Sequence, residues 1–261
     1  MSVAVVTGAA RGMGRACLER LRGTTEHLLA VDLAAPDIDG AVGVACDVAD
    51  PAAVAGLAER VGELGGLRSL VHAAGVSPTM ADPRRIFAVD LVGTQLLLDA
   101  CEPLAGPGTA AVCFASSSAH LISLAGPDPE LDALVADPGA DGFLDRVAAR
   151  FGDDSGLAYG WAKRGVVRAA ARAAVAWGAR GGRVTSVSPG LIDTPMGRQE
   201  LKVQPMMQVI LDNTPIGRLG RAEEVADLVA YLVSDGAGFV SGIDVLIDGG
   251  ALEGLRARSG R

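Results

Sequence analysis

Residues 3–14, VAVVTGAARGMG, carry the pattern that decides the fold of this chain. The apolar and largely β-branched run over residues 3–7 is typical of a buried strand. Gly8, Gly12 and Gly14 follow in GxxxGxG spacing and lead into a segment with helical composition. The stretch therefore predicts a strand, a glycine turn and a helix in direct succession.

Such a turn is suited to the pyrophosphate group of a dinucleotide. Gly8 permits the tight turn, Gly12 lets the backbone approach the phosphates, and Gly14 allows close packing of helix on strand. The helix N-terminus adds free amides and the positive end of the helix dipole. A glycine pattern alone is weak evidence, but its position between strand and helix favours a nucleotide site.

The rest of the chain continues the alternation of strands and helices. We predict strands over residues 3–8, 27–33, 41–48, 69–75, 110–116, 182–190 and 244–250, and helices near 13–22, 51–64, 84–104, 158–178 and 221–234. This order predicts an α/β fold, a doubly wound parallel sheet of seven strands with helices on both faces. No repeat or linker divides the 261 residues, so we expect a single domain over residues 1–261.

Composition excludes several classes of function. The formal net charge of −8 argues against nucleic acid as a partner, because phosphate binding favours a basic face. The four cysteines and three histidines show no metal-ligand spacing, so we expect reduced thiols and no metal. There is no signal-peptide pattern and no apolar run of ~18 residues, so we expect a cytoplasmic protein without a membrane span.

Asp32 ends the second predicted strand, in AVDL. A carboxylate there can accept hydrogen bonds from the adenosine ribose hydroxyls, and it would repel a 2′-phosphate. Arg11, in the glycine turn, argues the other way, because an arginine can bind that phosphate. We give Asp32 more weight, since it occupies the position that the phosphate needs, and we predict NAD over NADP.

Tyr159 and Lys163 stand four residues apart in YGWAK, on one face of a predicted helix. A free phenol has a pKa near 10 and is a poor base at neutral pH, but a nearby ammonium favours the phenolate. For an isolated YxxxK, a packed tyrosine beside a solvated lysine is the simpler interpretation. The surrounding motifs favour proton transfer instead.

These motifs recur in a fixed order: TGAARGMG, CDV (46–48), HAAG (72–75), a serine after the fifth strand, YGWAK, SPGLIDT (188–194) and IDGG (247–250). The set resembles the short-chain dehydrogenase/reductase family over nearly the whole chain. That resemblance implies a Rossmann-type fold, a nicotinamide cofactor, a small-molecule alcohol or ketone as substrate, and a homodimer or homotetramer.

The resemblance also implies catalytic roles. A serine polarises the substrate carbonyl, Tyr159 moves the hydroxyl proton, and Lys163 lowers the pKa of the tyrosine and holds the nicotinamide ribose. ASSSAH offers three serines; Ser116 falls best at the strand end, and Ser117 and Ser118 are alternatives. The family's asparagine is replaced by Asp90, which we expect to keep the associated water site in an active enzyme.

Cofactor contacts follow in the same way. The resemblance assigns them to Gly8, Arg11, Gly12, Met13, Gly14, Asp32, Leu33, Asp47, Val48, Ala73, Ala74, Gly75, Tyr159, Lys163, Pro189, Gly190, Ile192 and Thr194. HAAG departs from the Asn-Asn-Ala-Gly that is common in the family. His72 is therefore expected to change the side-chain contacts that brace the sheet.

Two segments fall outside the simple alternation. Residues 117–158 form an insertion, with short helices predicted at 130–136 and 142–151. Three placements are open: the insertion lies beside the helix starting near Ser155, it borders the substrate, or it is a solvated surface loop. Residues 195–215 are rich in methionine and are the better candidate for a substrate lid. Met196, Met206, Met207 and Leu211 fit a core or dimer contact equally well.

The insertion narrows the resemblance to the bacterial 3α-hydroxysteroid dehydrogenase/carbonyl reductase branch of the family. That branch implies that the substrate is a hydrophobic secondary alcohol or ketone, which could be a steroid. Sugars and acyl chains, on which other enzymes of this fold act, are alternative substrates. The alternative from another class is a protein that binds NAD as a sensor or scaffold without turnover, for which Asp90 is the only support.

Overall fold

The computed structural model describes residues 2–259 and is built on a parallel sheet of seven strands. They are β1 (Val3–Thr7), β2 (His27–Asp32), β3 (Val42–Ala45), β4 (Leu67–His72), β5 (Ala110–Phe114), β6 (Arg183–Pro189) and β9 (Asp244–Ile247). Their order is β3-β2-β1-β4-β5-β6-β9. β7 (Ile192–Asp193) and β8 (Gly220–Arg221) form a separate short pair. The seven predicted strands are confirmed. All of them end earlier than predicted, because the residues that follow belong to loops.

Helices cover both faces of the sheet, as the apolar strands predict. They are α1 (Gly12–Arg20), α2 (Pro51–Glu63), α3 (Pro83–Ile86), α4 (Gly93–Cys101), α5 (Ser118–Leu121), α6 (Pro129–Leu134), α7 (Phe143–Phe151), α8 (Ser155–Ala179), α9 (Pro195–Val203), α10 (Pro205–Asp212), α11 (Ala222–Val233) and α12 (Ala251–Ser259). α2, α4 and α8 pack on one face, and α1 and α11 pack on the other. Successive residues of β1 enter opposite cores: Val3 and Val5 face the first group, Ala4 and Val6 the second.

The strand order reverses beside β1, which lies between β2 and β4. In an open parallel sheet, the loops that leave the strands at such a point diverge and create a crevice at the carboxyl ends. The glycine turn follows β1 and HAAG follows β4, so both motifs border this crevice. The topology therefore brings together residues that are about 65 positions apart in sequence, in agreement with the hydrogen bond between Thr7 and His72.

The predicted helix over residues 84–104 is not a uniform α-helix. A π-helix, Phe87–Val92, lies between α3 and α4, and a 3₁₀ turn, Glu102–Leu104, follows α4. Local π segments often mark functional sites, because the wider turn redirects a side chain. Here the π-helix carries Asp90, which is buried.

The insertion is packed against the body of the protein. Phe143 and Phe151 of α7 lie against Phe87, with ring centroids 5.7 and 5.3 Å apart. Arg164 on α8 donates to Asp132 of α6 at 2.6 Å. The interpretation of this segment as a solvated surface loop is therefore wrong, since it buries aromatic side chains and lies beside α8.

Two further segments complete the described chain. The predicted lid forms α9 and α10, each with proline at its start. The tail over residues 255–261 is predicted to fray, but residues 255–259 belong to α12, and residues 260 and 261 lie outside the described part. No helix among residues 2–259 has both the length and the apolar character needed to cross a membrane.

Candidate active site

Two cavities meet at the carboxyl ends of the central strands. The glycine-turn cavity is lined by Gly8, Gly12 and Gly14 and has a volume of about 1180 Å³, including space open to solvent. The lid cavity is lined by Ser116 and residues of α9 and α10 and has a volume of about 1200 Å³, measured in the same way. Tyr159 and Thr194 line both.

The predicted cofactor residues divide between the cavities. The glycine-turn cavity is lined by Gly8, Arg11, Gly12, Met13, Gly14, Asp32, Leu33, Asp47, Val48, Ala73, Ala74, Gly75, Tyr159, Lys163 and Thr194. Pro189, Gly190 and Ile192 line the lid cavity instead. The structure therefore brings all of them to one continuous region, with the predicted nicotinamide loop at the junction.

The glycine turn has room only for glycine at its tightest points. A Cβ on Gly14 would lie 2.2 Å from the carbonyl oxygen of Gly8, and one on Gly8 would lie 2.8 Å from the backbone of Ala73. Gly12 has a φ of +60°. Among the described residues, no side chain caps the start of α1. Its first amides are therefore available to a phosphate, and the residues present fit a dinucleotide.

Asp32 is held at the mouth of this cavity by backbone amides. Its Oδ2 accepts from the N–H of Ala10 at 3.0 Å, and its Oδ1 accepts from the N–H of Leu33 at 2.9 Å. An ionised carboxylate has about four acceptor sites, so capacity remains for the hydroxyls of a ribose. Arg11 lines the same cavity and is exposed.

Sequence reasoning missed Arg85, which lines the glycine-turn cavity beside Asp47. The Arg85 guanidinium donates to Oδ2 of Asp47 at 3.1 Å, while Oδ1 accepts from the N–H of Ala49 at 3.0 Å. These bonds and the nearby charge hold the pKa of Asp47 below its usual value despite partial burial. No local motif marks Arg85, because the contact joins α3 to the loop after β3, which are far apart in sequence.

His72 braces β1 against β4, in the place where the family commonly has asparagine. Its Nδ1 lies 2.7 Å from the Thr7 hydroxyl, which accepts from the N–H of Ala74 at 3.1 Å. Burial and the charge of Lys163 lower the pKa of His72 to about 3, so the ring is neutral. A neutral imidazole can thus accept the Thr7 proton and tie the glycine turn to HAAG.

Of the three candidate serines, Ser116 is the one whose hydroxyl acts on the phenol of Tyr159. Both side chains line the lid cavity, and their interaction lowers the pKa of Tyr159. The Oγ of Ser116 accepts from the N–H of Ser118 at 3.2 Å, which fixes the hydroxyl just after β5. Ser117 and Ser118 line the lid cavity too, but neither acts on the pKa of the phenol among the described interactions.

The side chains of the protein alone raise the pKa of Tyr159, so the predicted lowering of that pKa stays a prediction for the cofactor-bound enzyme. Burial raises the pKa, the negative charges of Asp90 and Glu200 raise it further, and the Ser116 hydroxyl acts against them. Lys163 lies with its Nζ 5.6 Å from the centre of the phenol ring and donates to the carbonyl of Phe114 at 3.0 Å. The phenol is therefore held in its protonated form.

Asp90 and Lys163 form a buried pair. The Lys163 Nζ lies 3.6 Å from Oδ2 of Asp90, and Oδ1 accepts from the N–H of Val76 at 2.8 Å. Oδ2 is buried without a hydrogen-bond partner among the described residues. Burial raises the pKa of Asp90, and Lys163 opposes that rise. A Cβ on Gly75 would lie 2.9 Å from Asp90, so glycine is needed beside the pair.

The lid helices α9 and α10 contribute side chains to the lid cavity, and the sequence analysis predicted only some of them. Met196, Met206 and Met207 line the lid cavity; Leu211 does not, and Ile210 lines it instead. The sequence analysis did not identify Glu200. The spacing of Met196, Glu200 and Gln204 at i, i+4 and i+8 would place them on one face of a continuous helix, and this is the signal that could have found it. All three line the cavity. Burial raises the pKa of Glu200.

Comparison with known proteins extends these observations. The chain matches the family model described as Enoyl-(Acyl carrier protein) reductase over residues 8–126 and 143–251. The unmatched residues between these stretches belong to the insertion. The matched stretches include the glycine turn, the Ser116–Tyr159 pair and the lid.

Individual relatives cover nearly the full chain. Cis-4-hydroxycyclohexanecarboxylate dehydrogenase of Sinomonas cyclohexanicum is 33% identical, with 95% of each chain covered. The 3-alpha-hydroxysteroid dehydrogenase/carbonyl reductase of Comamonas testosteroni is 28% identical over 96% of each. The crystal structure of 3-alpha-hydroxysteroid dehydrogenase from Pseudomonas sp. B-0831 complexed with NADH is 30% identical, with 99% of each chain covered and a TM-score of 0.82.

Proposed function

Because this chain belongs to the short-chain dehydrogenase/reductase family of oxidoreductases, we propose that it interconverts a secondary alcohol and a ketone with NAD(H). The observation that carries the proposal is the position of Tyr159, which lines both cavities, with Ser116 in the lining of the lid cavity. It places a proton donor between a dinucleotide cradle and a second cavity. The nicotinamide ring, when bound, supplies or accepts the hydride.

Three side chains divide the work on the substrate oxygen. Ser116 donates a hydrogen bond that holds the carbonyl oxygen, and Tyr159 gives its proton to that oxygen during reduction. A raised pKa suits this direction, since the phenol stays protonated at neutral pH. Lys163 is fixed by the Phe114 carbonyl and by Asp90, and it faces the glycine-turn cavity, where it can bind the ribose hydroxyls.

The preference for NAD rests on Asp32. Its two amide bonds fix the carboxylate at the end of β2, within the glycine-turn cavity. A 2′-phosphate there would meet a negative charge at short range, whereas ribose hydroxyls can donate to it. Arg11 is exposed at the rim and does not remove that repulsion.

The substrate class is a hydrophobic secondary alcohol or the corresponding ketone. Leu121, Ile122 and Ile210 line the lid cavity together with the methionines of the lid. Flexible thioether side chains adapt to apolar bodies of different shape. The steroid and cyclohexane substrates in the names of two relatives are consistent with a ring system in this cavity.

The test is NADH consumption by the purified protein against a panel of cyclic, linear and steroid ketones. The expected result is NADH oxidation with at least one ring ketone and loss of that activity in Tyr159→Phe. A protein that binds NADH, shown by fluorescence titration, but oxidises it with no carbonyl compound would instead be the sensor or scaffold that Asp90 favours. Sugar and acyl substrates in the same panel test the remaining alternatives.

A further inference from the structure

The lid cavity contains one charged side chain in an otherwise neutral lining. Among the described residues that form its wall, Glu200 alone is ionisable at neutral pH. Met196 of α9, Met206 and Met207 of α10, and the polar amide of Gln204 between these helices line the same cavity. A carboxylate in this setting needs a physical explanation, because an apolar substrate would bury it without a partner.

Hydrogen bonds beside Glu200 join the lid to the loop after β4. The Gln199 amide donates to the Thr79 hydroxyl at 3.3 Å, and the hydroxyls of Thr79 and Ser77 lie 3.0 Å apart. Burial raises the pKa of Glu200, and its interaction with the Ser77 hydroxyl opposes that rise. Ser77 therefore links the Glu200 carboxylate to the loop after β4.

Most of the acceptor capacity of Glu200 is unused. A carboxylate has about four acceptor sites, and Ser77 is the only hydroxyl among the described residues that interacts with it. No lysine, arginine or histidine among residues 2–259 forms an ion pair with Glu200. Its charge nevertheless acts on the reaction centre, since it raises the pKa of Tyr159. Glu200 is thus half-buried, without a counter-ion among the described residues, and close to where the substrate must lie.

We propose that Glu200 selects the substrate by accepting a hydrogen bond from a second donor group, a hydroxyl or an ammonium, on the alcohol or ketone. The inference rests on the proposed function and names its substrate class more closely. The methionines contact the apolar body of the substrate, Ser116 and Tyr159 hold the reacting oxygen, and Glu200 binds the second donor. A carboxylate group at the same place is rejected, because two negative charges would share a cavity of low polarity.

The test compares matched ketones. Cyclohexanone and trans-2-decalone are used as parents, and each is also supplied with a hydroxyl, an amino or a carboxyl group on the ring carbon farthest from the carbonyl. For the wild type, kcat/KM for the hydroxyl or amino ketone is expected to exceed that of its parent by about 10- to 100-fold in at least one ring size. The carboxyl ketone is expected to fall below the parent.

Two substitutions separate charge from hydrogen bonding. Glu200→Gln keeps an acceptor but loses the charge, so the hydroxyl preference should persist while the ammonium preference and the rejection of carboxylate disappear. Glu200→Leu should bring all derivatives to within about threefold of the parent. Ser77→Ala, which removes the hydroxyl that interacts with Glu200, should reduce the hydroxyl preference without abolishing it.

Control experiments distinguish a variant that fails to fold from a result that contradicts the proposal. Glu63→Gln removes an exposed charge at the end of α2 and should leave every ratio unchanged. Thermal unfolding of each variant, and its activity on the parent ketone, show that the site is intact. Selectivity ratios that are the same in wild type and Glu200→Leu, with parent ketones still reduced, overturn this inference alone. Absence of NADH oxidation with every ketone overturns it together with the proposed function.

Discussion

The two cavities that meet at Tyr159 are built from different parts of the chain. The glycine-turn cavity is shaped largely by backbone, at Gly8, Gly12, Gly14 and Gly75, with Asp32 held by main-chain amides. The lid cavity is shaped by side chains from α9, α10 and the start of the insertion. The first was predicted almost residue by residue, whereas the second was predicted only as a segment.

The difference has a physical origin. Where backbone must approach backbone or a phosphate, only glycine fits, so the requirement is visible in the sequence as residue type and spacing. A pocket of side chains can be formed by many residue types, because a methionine and an isoleucine can fill similar space. The predictions below test whether the two cavities also differ in how they respond to substitution.

Tyr159→Phe should have the largest effect, because it removes the proposed proton donor, which lines both cavities. We expect kcat for ketone reduction to fall by about 10²- to 10⁴-fold, with little change in NADH affinity. Steady-state kinetics and fluorescence titration of NADH measure the two quantities. Equal losses in both would show that the tyrosine builds the glycine-turn cavity and does not act on the substrate.

Asp32→Ala tests the glycine-turn cavity at a charged position. NADH affinity should fall by about 10- to 100-fold while NADPH affinity stays level or rises, since a hydrogen bond to a charged group is lost and a repulsion is removed. Titration with both cofactors gives the ratio. Asp37→Ala makes the same charge change at an exposed site close by and should leave the ratio as it is. A parallel loss for both cofactors would mean that Asp32 only supports the turn.

Gly14→Ala tests the claim that backbone contact fixes the glycine turn. The new Cβ would meet the Gly8 carbonyl at 2.2 Å, so the free energy of unfolding should fall by about 1–3 kcal/mol and NADH binding should weaken. Gly56→Ala is the matched control in α2, where a Cβ meets nothing within 4 Å. That change should stabilise the protein by about 0.5–1 kcal/mol. Chemical denaturation measures both, and equal effects would refute the contact argument.

Asp90→Asn should have the smallest effect on rate and a clear effect on pH dependence. Asp90 raises the pKa of Tyr159, so its neutral replacement should lower that pKa. Alcohol oxidation requires the phenol to accept a proton and therefore increases with pH up to this pKa. The rising limb should move to lower pH in the variant, with kcat at its plateau changed by less than about tenfold. A gain of several orders of magnitude would show that Asp90 impairs the native enzyme.

The features that could be predicted from the sequence are those that depend on local residue type and spacing. The order of strands and helices, the glycine turn and the Tyr159–Lys163 pair were predicted, because each depends on local periodicity or spacing. The effect of surroundings on Tyr159 was not, since burial and the charges of Asp90 and Glu200 come from three separate elements. The π-helix at Asp90 and the contact of Arg85 with Asp47 likewise depend on tertiary packing that no short pattern encodes.

Transfer of deuterium to a ring ketone from NADH that carries deuterium at both C4 positions of the nicotinamide tests the central claim most directly. In a single turnover followed by mass spectrometry, the wild type should yield an alcohol that is one deuterium heavier at the carbinol carbon. Tyr159→Phe should bind the labelled cofactor and form little labelled alcohol in the same time. Tight binding of labelled NADH by the wild type with no label in any product would contradict the assignment of this site to hydride transfer.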